Sequence, residues 1–303
     1  MKQQSTILPV LAGIAVSIFF GLSFMFTKTA LDVLTPFHLL GLRFTFAAIT
    51  LTLLYLFKLV KIELKGKNLK PLFLIALFQP VGYFISETMG VNMTSSSEAG
   101  MIIALIPVFV VIIGALFLKE QPTFIQMIFI IMSVVGVVFI VLMGGKSGAS
   151  GNTLGMIILL GAVISAAAYN VLSRKLSLHF NPFEITFVMM WVGAIAFNGT
   201  ALIQAAQKGE IGSYFAPLAN MNVLISIVFL GILSSVAAFL LLNYMLSKME
   251  ASTTAVYLNM TTVVSIIAGV IFRSEAFYWY HMVGAIMILA GVWGTNHFAV
   301  SGE

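Results

Sequence analysis

Ten runs of apolar side chains, each long enough to cross a bilayer as a helix, follow one another with short breaks. Few folds can absorb such a pattern. A spanning helix needs about 20 mostly apolar residues. The runs lie near 8–30, 36–58, 71–91, 97–118, 123–143, 153–174, 183–206, 221–246, 252–272 and 278–298. They are apolar on every side, whereas the strands of a membrane barrel alternate apolar and polar positions over about ten residues, so strands are excluded. With 60% hydrophobic and 8% charged residues, the chain also lacks the polar surface of a soluble domain, where about a quarter of residues are charged. The expectation is an all-α integral membrane protein with ten transmembrane helices.

The fourth and fifth runs return as the ninth and tenth. A shift of 155 residues pairs Gly114 with Gly269, Phe117 with Phe272, Glu120 with Glu275, Met132 with Met287 and Gly136 with Gly291. Nearer the front, a shift of 146 pairs Pro36-Phe37 with Pro182-Phe183 and Lys28 with Arg174. The shift grows because the second half carries a longer polar connection, "QKGEIGSYFAPLANMN", from Gln207 to Asn222. Such self-similarity marks a duplicated unit. The halves, residues 1–150 and 151–303, then hold five spans each. Five is odd, so the second unit enters the membrane from the opposite side. Transporters use inverted repeats of this kind to expose a midplane site to each side in turn.

The formal charge of +5 comes from basic residues beside the apolar runs, not from a patch interleaved with aromatics. They are read as topology determinants, and no nucleic-acid partner is expected. Lys58, Lys61, Lys65, Lys67 and Lys70 crowd the loop after the second run, which is therefore expected in the cytoplasm together with both termini. The first run lacks a clear small-residue cleavage site and is read as a retained helix. With no cysteine in the chain, disulfides, thiol catalysis and thiolate metal sites are excluded.

A charge near the centre of a bilayer costs about 3 kcal/mol or more, so each one inside a run is a functional candidate. Arg43 lies about two turns into the second run, Glu87 near the end of the third, Glu98 at the start of the fourth and Glu184 at the start of the seventh. Arg43 is placed to pair with Glu87 or Glu98. Glu98 and Glu184 also suit a helix N-terminus, where the macrodipole favours an acid. Gln79, Tyr83 and Glu87 recur every fourth residue, a polar stripe that should face a wet cavity or other helices. Similar polar faces carry Tyr169 and Asn170 in the sixth run, Ser234, Ser235 and Asn243 in the eighth, and Tyr257, Asn259, Thr261 and Ser265 in the ninth. Together they describe a cavity between the first, third, fourth, sixth, eighth and ninth runs, suited to a small amphipathic solute. Tyr83, Glu87, Tyr169, Asn170, Asn243, Tyr257 and Asn259 are the candidate solute contacts. Pro107 should hinge the fourth run. Gly13, Ser17 and Gly21 form a small-residue ridge suited to close helix packing. Glu120 and Glu275 are read as capping or turn residues, and no metal site or cofactor is assigned.

Phosphate-binding, metalloprotease and nucleophile-elbow motifs are absent, and the loops are too short for a catalytic domain, so no enzyme is expected. The chain resembles the ten-helix EamA-type branch of the drug/metabolite transporter superfamily, as two consecutive EamA repeats over nearly its whole length. The resemblance rests on "LIPVFVVIIGALFLKEQPTFIQMIFIIMSVVGVVFI" and "VSIIAGVIFRSEAFYWYHMVGAIMILAGVW", with Pro107, Gly114, Glu120 and Gly136, then Gly269, Glu275 and Gly291. Thr262 stands where the second proline would be. The resemblance implies a carrier of small metabolites in the cytoplasmic membrane, often an exporter of amino acids or related compounds, with a central cavity between the halves. Smaller four-helix relatives use a glutamate of their first helix for proton exchange. Neither the first nor the sixth run has one here, so if protons are coupled, Glu87 is the favoured carrier.

The sequence thus points to a secondary transporter, an exporter of a small organic metabolite working by alternating access. Two alternatives stay open: a multidrug exporter of lipophilic cations, and a membrane ligand sensor without translocation. The expected partners are a small-molecule solute and the bilayer, with no obligate protein partner.

Overall fold

The computed structural model describes residues 7–118, 123–147, 153–249, 254, 258 and 260–298. Ten helical spans result: α1 (Ile7–Leu31), α2 (Pro36–Leu56), α3 (Lys70–Met93), α4 (Ser96–Ile103 continuing as Ile106–Leu118), α5 (Phe124–Ser147), α6 (Thr153–Leu176), α7 (Pro182–Lys208), α8 (Met221–Lys248), α9 (Met260–Arg273) and α10 (Trp279–His297). Seven are long and apolar enough to cross a bilayer. The apolar stretches in α5, α9 and α10 are shorter. No strand occurs among the described residues.

Local chemistry explains where several spans begin. Pro36 and Pro182, paired by the repeat, open α2 and α7 at positions where a missing N–H is no loss. Capping boxes start α4 and α7: the Ser95 hydroxyl accepts from the Glu98 N–H while Glu98 accepts from the Ser95 N–H, and Asn181 and Glu184 do the same. Gly209, with φ of 71°, takes the left-handed turn that ends α7.

Three spans are irregular in their middle. α3 widens into a π-helical segment at Leu77–Gly82, where Gln79 leaves the helical region (φ −145°, ψ 113°) beside Pro80. α8 widens likewise at Phe229–Ala237. α4 breaks between Ile103 and Ile106: the Ile103 carbonyl would need the N–H four residues on, which Pro107 lacks. α3 and α8 hold the same place in their respective halves. The π turn alters the helical register between Gln79 and Tyr83, while Tyr83 and Glu87 stay four apart in regular helix.

Neighbour relations repeat under exchange of the two halves. α3 packs on α6 and α8 on α1; α4 packs on α6 and α9 on α1; α5–α10, α2–α7 and α4–α9 are pairs that the exchange maps onto themselves. This is the packing of two inverted five-helix repeats. The α5–α10 pair runs antiparallel along small residues. A Cβ on Gly136 would stand 3.0 Å from both the Gly284 carbonyl and the Met287 Cβ, and one on Gly291 would collide with Ser133 and stand 2.6 Å from the Phe129 carbonyl. The two repeat-related glycines thus meet at one seam, where van der Waals contact between backbones replaces the hydrophobic effect that lipid cannot supply. Gly21, from the small-residue ridge of α1, approaches Val264 and the Thr261 carbonyl of α9 in the same way.

Helix ends sort into two faces. On one, Lys67 of the lysine-rich loop bonds both Glu184 oxygens at 2.8 Å, and Asn181 donates to the Lys61 carbonyl at 3.3 Å. On the other, Arg273 contacts Asp32 at 3.1 Å and Thr29 at 2.9 Å. The connection after α7 folds back on this second face through two short 3₁₀ turns, Ile211–Ser213 and Ala216–Ala219. Tyr214 anchors it: its hydroxyl donates to Asn198 Oδ1 at 2.8 Å, and its carbonyl lies 2.8 Å from His38 Nε2. Burial pushes the Tyr214 phenol up to about 12, so it remains a donor at neutral pH.

Candidate functional site

At the junction of the two halves lies a cavity of about 40 Å³. Water needs roughly 10–15 Å³ of such space per molecule, so the cavity holds a few waters or one small polar head group. Its walls come from α1 (Phe20, Phe24), α3 (Gln79, Tyr83), α4 (Ile103, Ala104, Ile106, Pro107), α6 (Ala166, Asn170), α8 (Leu242), and Leu258 with Thr261 and Thr262 at the start of α9. The broken middles of α3 and α4 thus face the cavity. Irregular backbone at membrane depth is tolerated where it lines such a space.

Tyr83 and Asn170 are the two candidate contacts that line this cavity. Glu87 does not. It is buried one turn further along α3, where its Oε2 accepts from the Thr88 hydroxyl at 3.0 Å. Arg43 is also buried, and the two form no direct salt bridge. The guanidinium instead crosses to the other half: Nε donates to the Ser235 hydroxyl at 2.8 Å and Nη2 to the Ser234 hydroxyl at 3.0 Å, both in the π segment of α8. Its carbon sits 4.4 Å from the centre of the Phe84 ring, a cation–π contact. Phe84 packs edge-on against Tyr83 at 4.9 Å, so the charged pair lies one aromatic layer behind the cavity wall.

Glu98 is not a partner of Arg43. Besides its capping role, its Oε1 lies 3.7 Å from His281 Nε2 of α10, with both side chains buried. Tyr169 and Asn243 meet each other rather than the cavity. Tyr169 and Ser173 donate to Asn243 Oδ1 at 2.8 and 2.9 Å, and Asn243 Nδ2 donates to Thr186 at 3.0 Å, which ties α6, α7 and α8 together. Tyr257, Asn259 and Glu120 lie outside the described residues. Phe20, Phe24 and Thr261 line the cavity without having been candidate contacts. The breaks at Pro80 and Pro107 were the signal that could have located that wall.

On the face opposite the lysine-rich loop, the connection between α9 and α10 clamps the start of α4. Glu275 accepts from the Ser96 and Ser97 N–H groups at 2.8 and 2.9 Å and from the Ser97 hydroxyl at 2.7 Å. Glu275 therefore caps a helix of the other half, not the span that follows it. Its carboxylate neutralises the positive end of α4.

The pattern that defines EamA-like transporters matches residues 7–142 and again 153–296. The chain belongs to the EamA-like transporter family. This EamA-like chain is 38% identical over 286 residues to the uncharacterized transporter YcxC of Bacillus subtilis (strain 168), covering 94% of this chain and 92% of that protein. It is 30% identical over 275 residues to an uncharacterized transporter of Archaeoglobus fulgidus (strain ATCC 49558 / DSM 4304 / JCM 9628 / NBRC 100126 / VC-16), covering 91% and 94%. A protein of Streptantibioticus cattleyicolor (strain ATCC 35852 / DSM 46488 / JCM 4925 / NBRC 14057 / NRRL 8057), named probable terminal-alkyne amino-acid exporter, is 25% identical over 197 residues, covering 65% of this chain and 63% of that one. One crystal structure superposes with a TM-score of 0.65 at 16% identity, covering 96% of this chain and 99% of the other, a likeness of fold alone. The EamA-like chain is thus a multi-pass membrane transporter.

Proposed function

We propose that this EamA-like chain is a secondary transporter that exports a small amphipathic organic metabolite, an amino acid or related compound, by alternating access. The observation that carries this reading is the small cavity at the junction of two inverted halves, walled by Tyr83, Asn170, aromatic rings and interrupted helices. A cavity of about 40 Å³ is too small for a whole metabolite, so the halves must separate for loading and close for transit. The amino-acid exporter among its relatives supports the solute class.

The two moving units are residues 1–150 and 151–303. They sit in the cytoplasmic membrane with the lysine-rich loop and both termini inside. Tyr83 and Asn170 contact solute in the closed form, and Tyr257 and Asn259 are further solute contacts of this reading. Tyr169 and Asn243 join as α6 and α8 part. Glu87 carries the coupling proton, balanced by Arg43. Flux into proteoliposomes, driven by an imposed pH gradient, tests this: wild type should respond and Glu87→Gln should not. Equal responses would remove Glu87 from coupling, and absence of any solute flux would remove the transporter reading.

Export of lipophilic cations is a second reading, favoured by the cavity wall itself. No described lining residue is cationic, and Arg43 is turned away behind Phe84. Resistance profiling of an overproducing strain separates the two.

A further inference from the structure

The cavity is neutral but not indifferent to charge. Among the described lining residues, none is Lys, Arg, His, Asp or Glu. A carboxylate brought here would meet no cation in the wall, because Arg43 lies behind the Phe84 ring and is not among the lining residues. Burial of an unpaired anion is expensive. The polar side chains present can each accept as well as donate. Gln79 and Asn170 are 4% and 2% exposed, and neither amide bonds a described residue, so each can turn its oxygen inward. The Thr261 hydroxyl is buried with no partner. Buried polar groups are normally satisfied, and these three around one space, with the half-buried Tyr83 beside them, call for a polar ligand.

The backbone adds a sign. The first piece of α4, Ser96–Ile103, ends at the cavity wall, and Pro107 has no N–H to offer the Ile103 carbonyl. Helix C-termini carry partial negative charge, and half-helix ends of this kind hold cations at transporter midplanes. The rings of Phe20, Phe24 and Tyr83 line the same space, and aromatic rings attract a cation placed over their electron-rich faces.

We infer that the cavity grips its solute by a protonated amino group, held against the Ile103 carbonyl, Gln79 and Asn170, and does not read a carboxylate. The inference rests on the transporter reading and deepens it: what is recognised is the amine end, shared by amino acids, their amides and simple arylalkyl amines. The cavity volume matches an ammonium head group, with the solute's body lodged where the halves part.

Binding to purified protein in detergent tests this without requiring flux. The probes are phenethylamine, L-phenylalaninamide, L-phenylalanine, N-acetyl-L-phenylalanine and 3-phenylpropionate, followed by thermal shift and calorimetry. The three amines should bind about tenfold or more tightly than the two compounds lacking one. Gln79→Leu and Asn170→Leu should each lower amine affinity by about tenfold, while Lys208→Ala, remote on the second face, leaves it unchanged. Two variants guard against one that fails to fold, and monodispersity of each is checked. Equal or tighter binding of 3-phenylpropionate overturns the inference, as does binding of no amine, or amine binding unaffected in both variants. The transporter reading fails separately, if a bound amine never crosses the wall of a sealed vesicle.

Discussion

Lys28 and Arg174 perform the same task in opposite halves. Lys28, at the end of α1, donates to the carbonyls of Val91, Asn92 and Thr94 at the end of α3, at 2.9, 3.1 and 2.6 Å. Arg174, at the end of α6, donates to the Leu246 carbonyl at the end of α8, at 2.8 Å. Each cation bonds carbonyls at a helix end, which carry partial negative charge. Lys28→Met should lower stability by about 1–3 kcal/mol, the worth of hydrogen bonds from a charged group, and Lys28→Arg should recover much of it. Thermal denaturation followed by size-exclusion chromatography reads the difference.

The glycines that the repeat pairs are not equivalent in packing. Nothing lies within 4 Å of a Cβ on Gly114, whereas one on Gly269 would collide with Glu275 and stand 2.5 Å from the Ser97 hydroxyl. Gly114→Ala should therefore be neutral or stabilise by up to about 1 kcal/mol through helix propensity. Gly269→Ala should destabilise and disturb the Glu275 cap. Comparing melting temperatures of the two variants checks this.

Release of the Glu275 clamp should open the second face. The chain has no cysteine, so a single Thr261→Cys reports access to the cavity without background. With Glu275→Ala added, its reaction with a membrane-impermeant maleimide should quicken by about tenfold, as a population shift of that size implies. An unchanged rate would mean the clamp does not hold that face closed.

Arg43 and Glu87 should be coupled although they do not touch. Arg43→Met leaves a buried carboxylate without its counter-charge and should destabilise by about 3 kcal/mol. Adding Glu87→Gln should restore part of the loss. A double-mutant cycle measures it, and strict additivity would show the two charges to be independent.

Lys67→Met should free the buried Glu184 from its 2.8 Å partner on the lysine-rich face. Lys67 is 36% exposed, so water replaces much of the lost attraction and the cost should be about 1 kcal/mol. Chemical denaturation against wild type checks the size.

The spans were legible in the sequence because hydropathy and helix-opening prolines act locally: Pro36 and Pro182 start helices where the repeat aligns them. The α5–α10 seam was legible in part, since Gly136 and Gly291 recur in register before their contact is known. The site was harder. Tyr83 and Asn170 reach the cavity, but Glu87, one regular turn beyond Tyr83, does not, and spacing along a helix does not say at what depth a cavity ends. The Glu98–His281 and Glu275–Ser96 contacts join residues far apart in the chain, and their partners depend on which helices become neighbours.

The glycine seam between α5 and α10 also dictates an order of events at the ribosome. The helix bearing Gly136 is synthesised long before the one bearing Gly291, and the close-packed face of the earlier helix has only lipid beside it until the later one emerges. The first half can thus be fully inserted yet unable to finish folding by itself. Maturation of this seam is deferred until α10 leaves the translocon, and a nascent chain cut short after α9 would leave α5 without its partner.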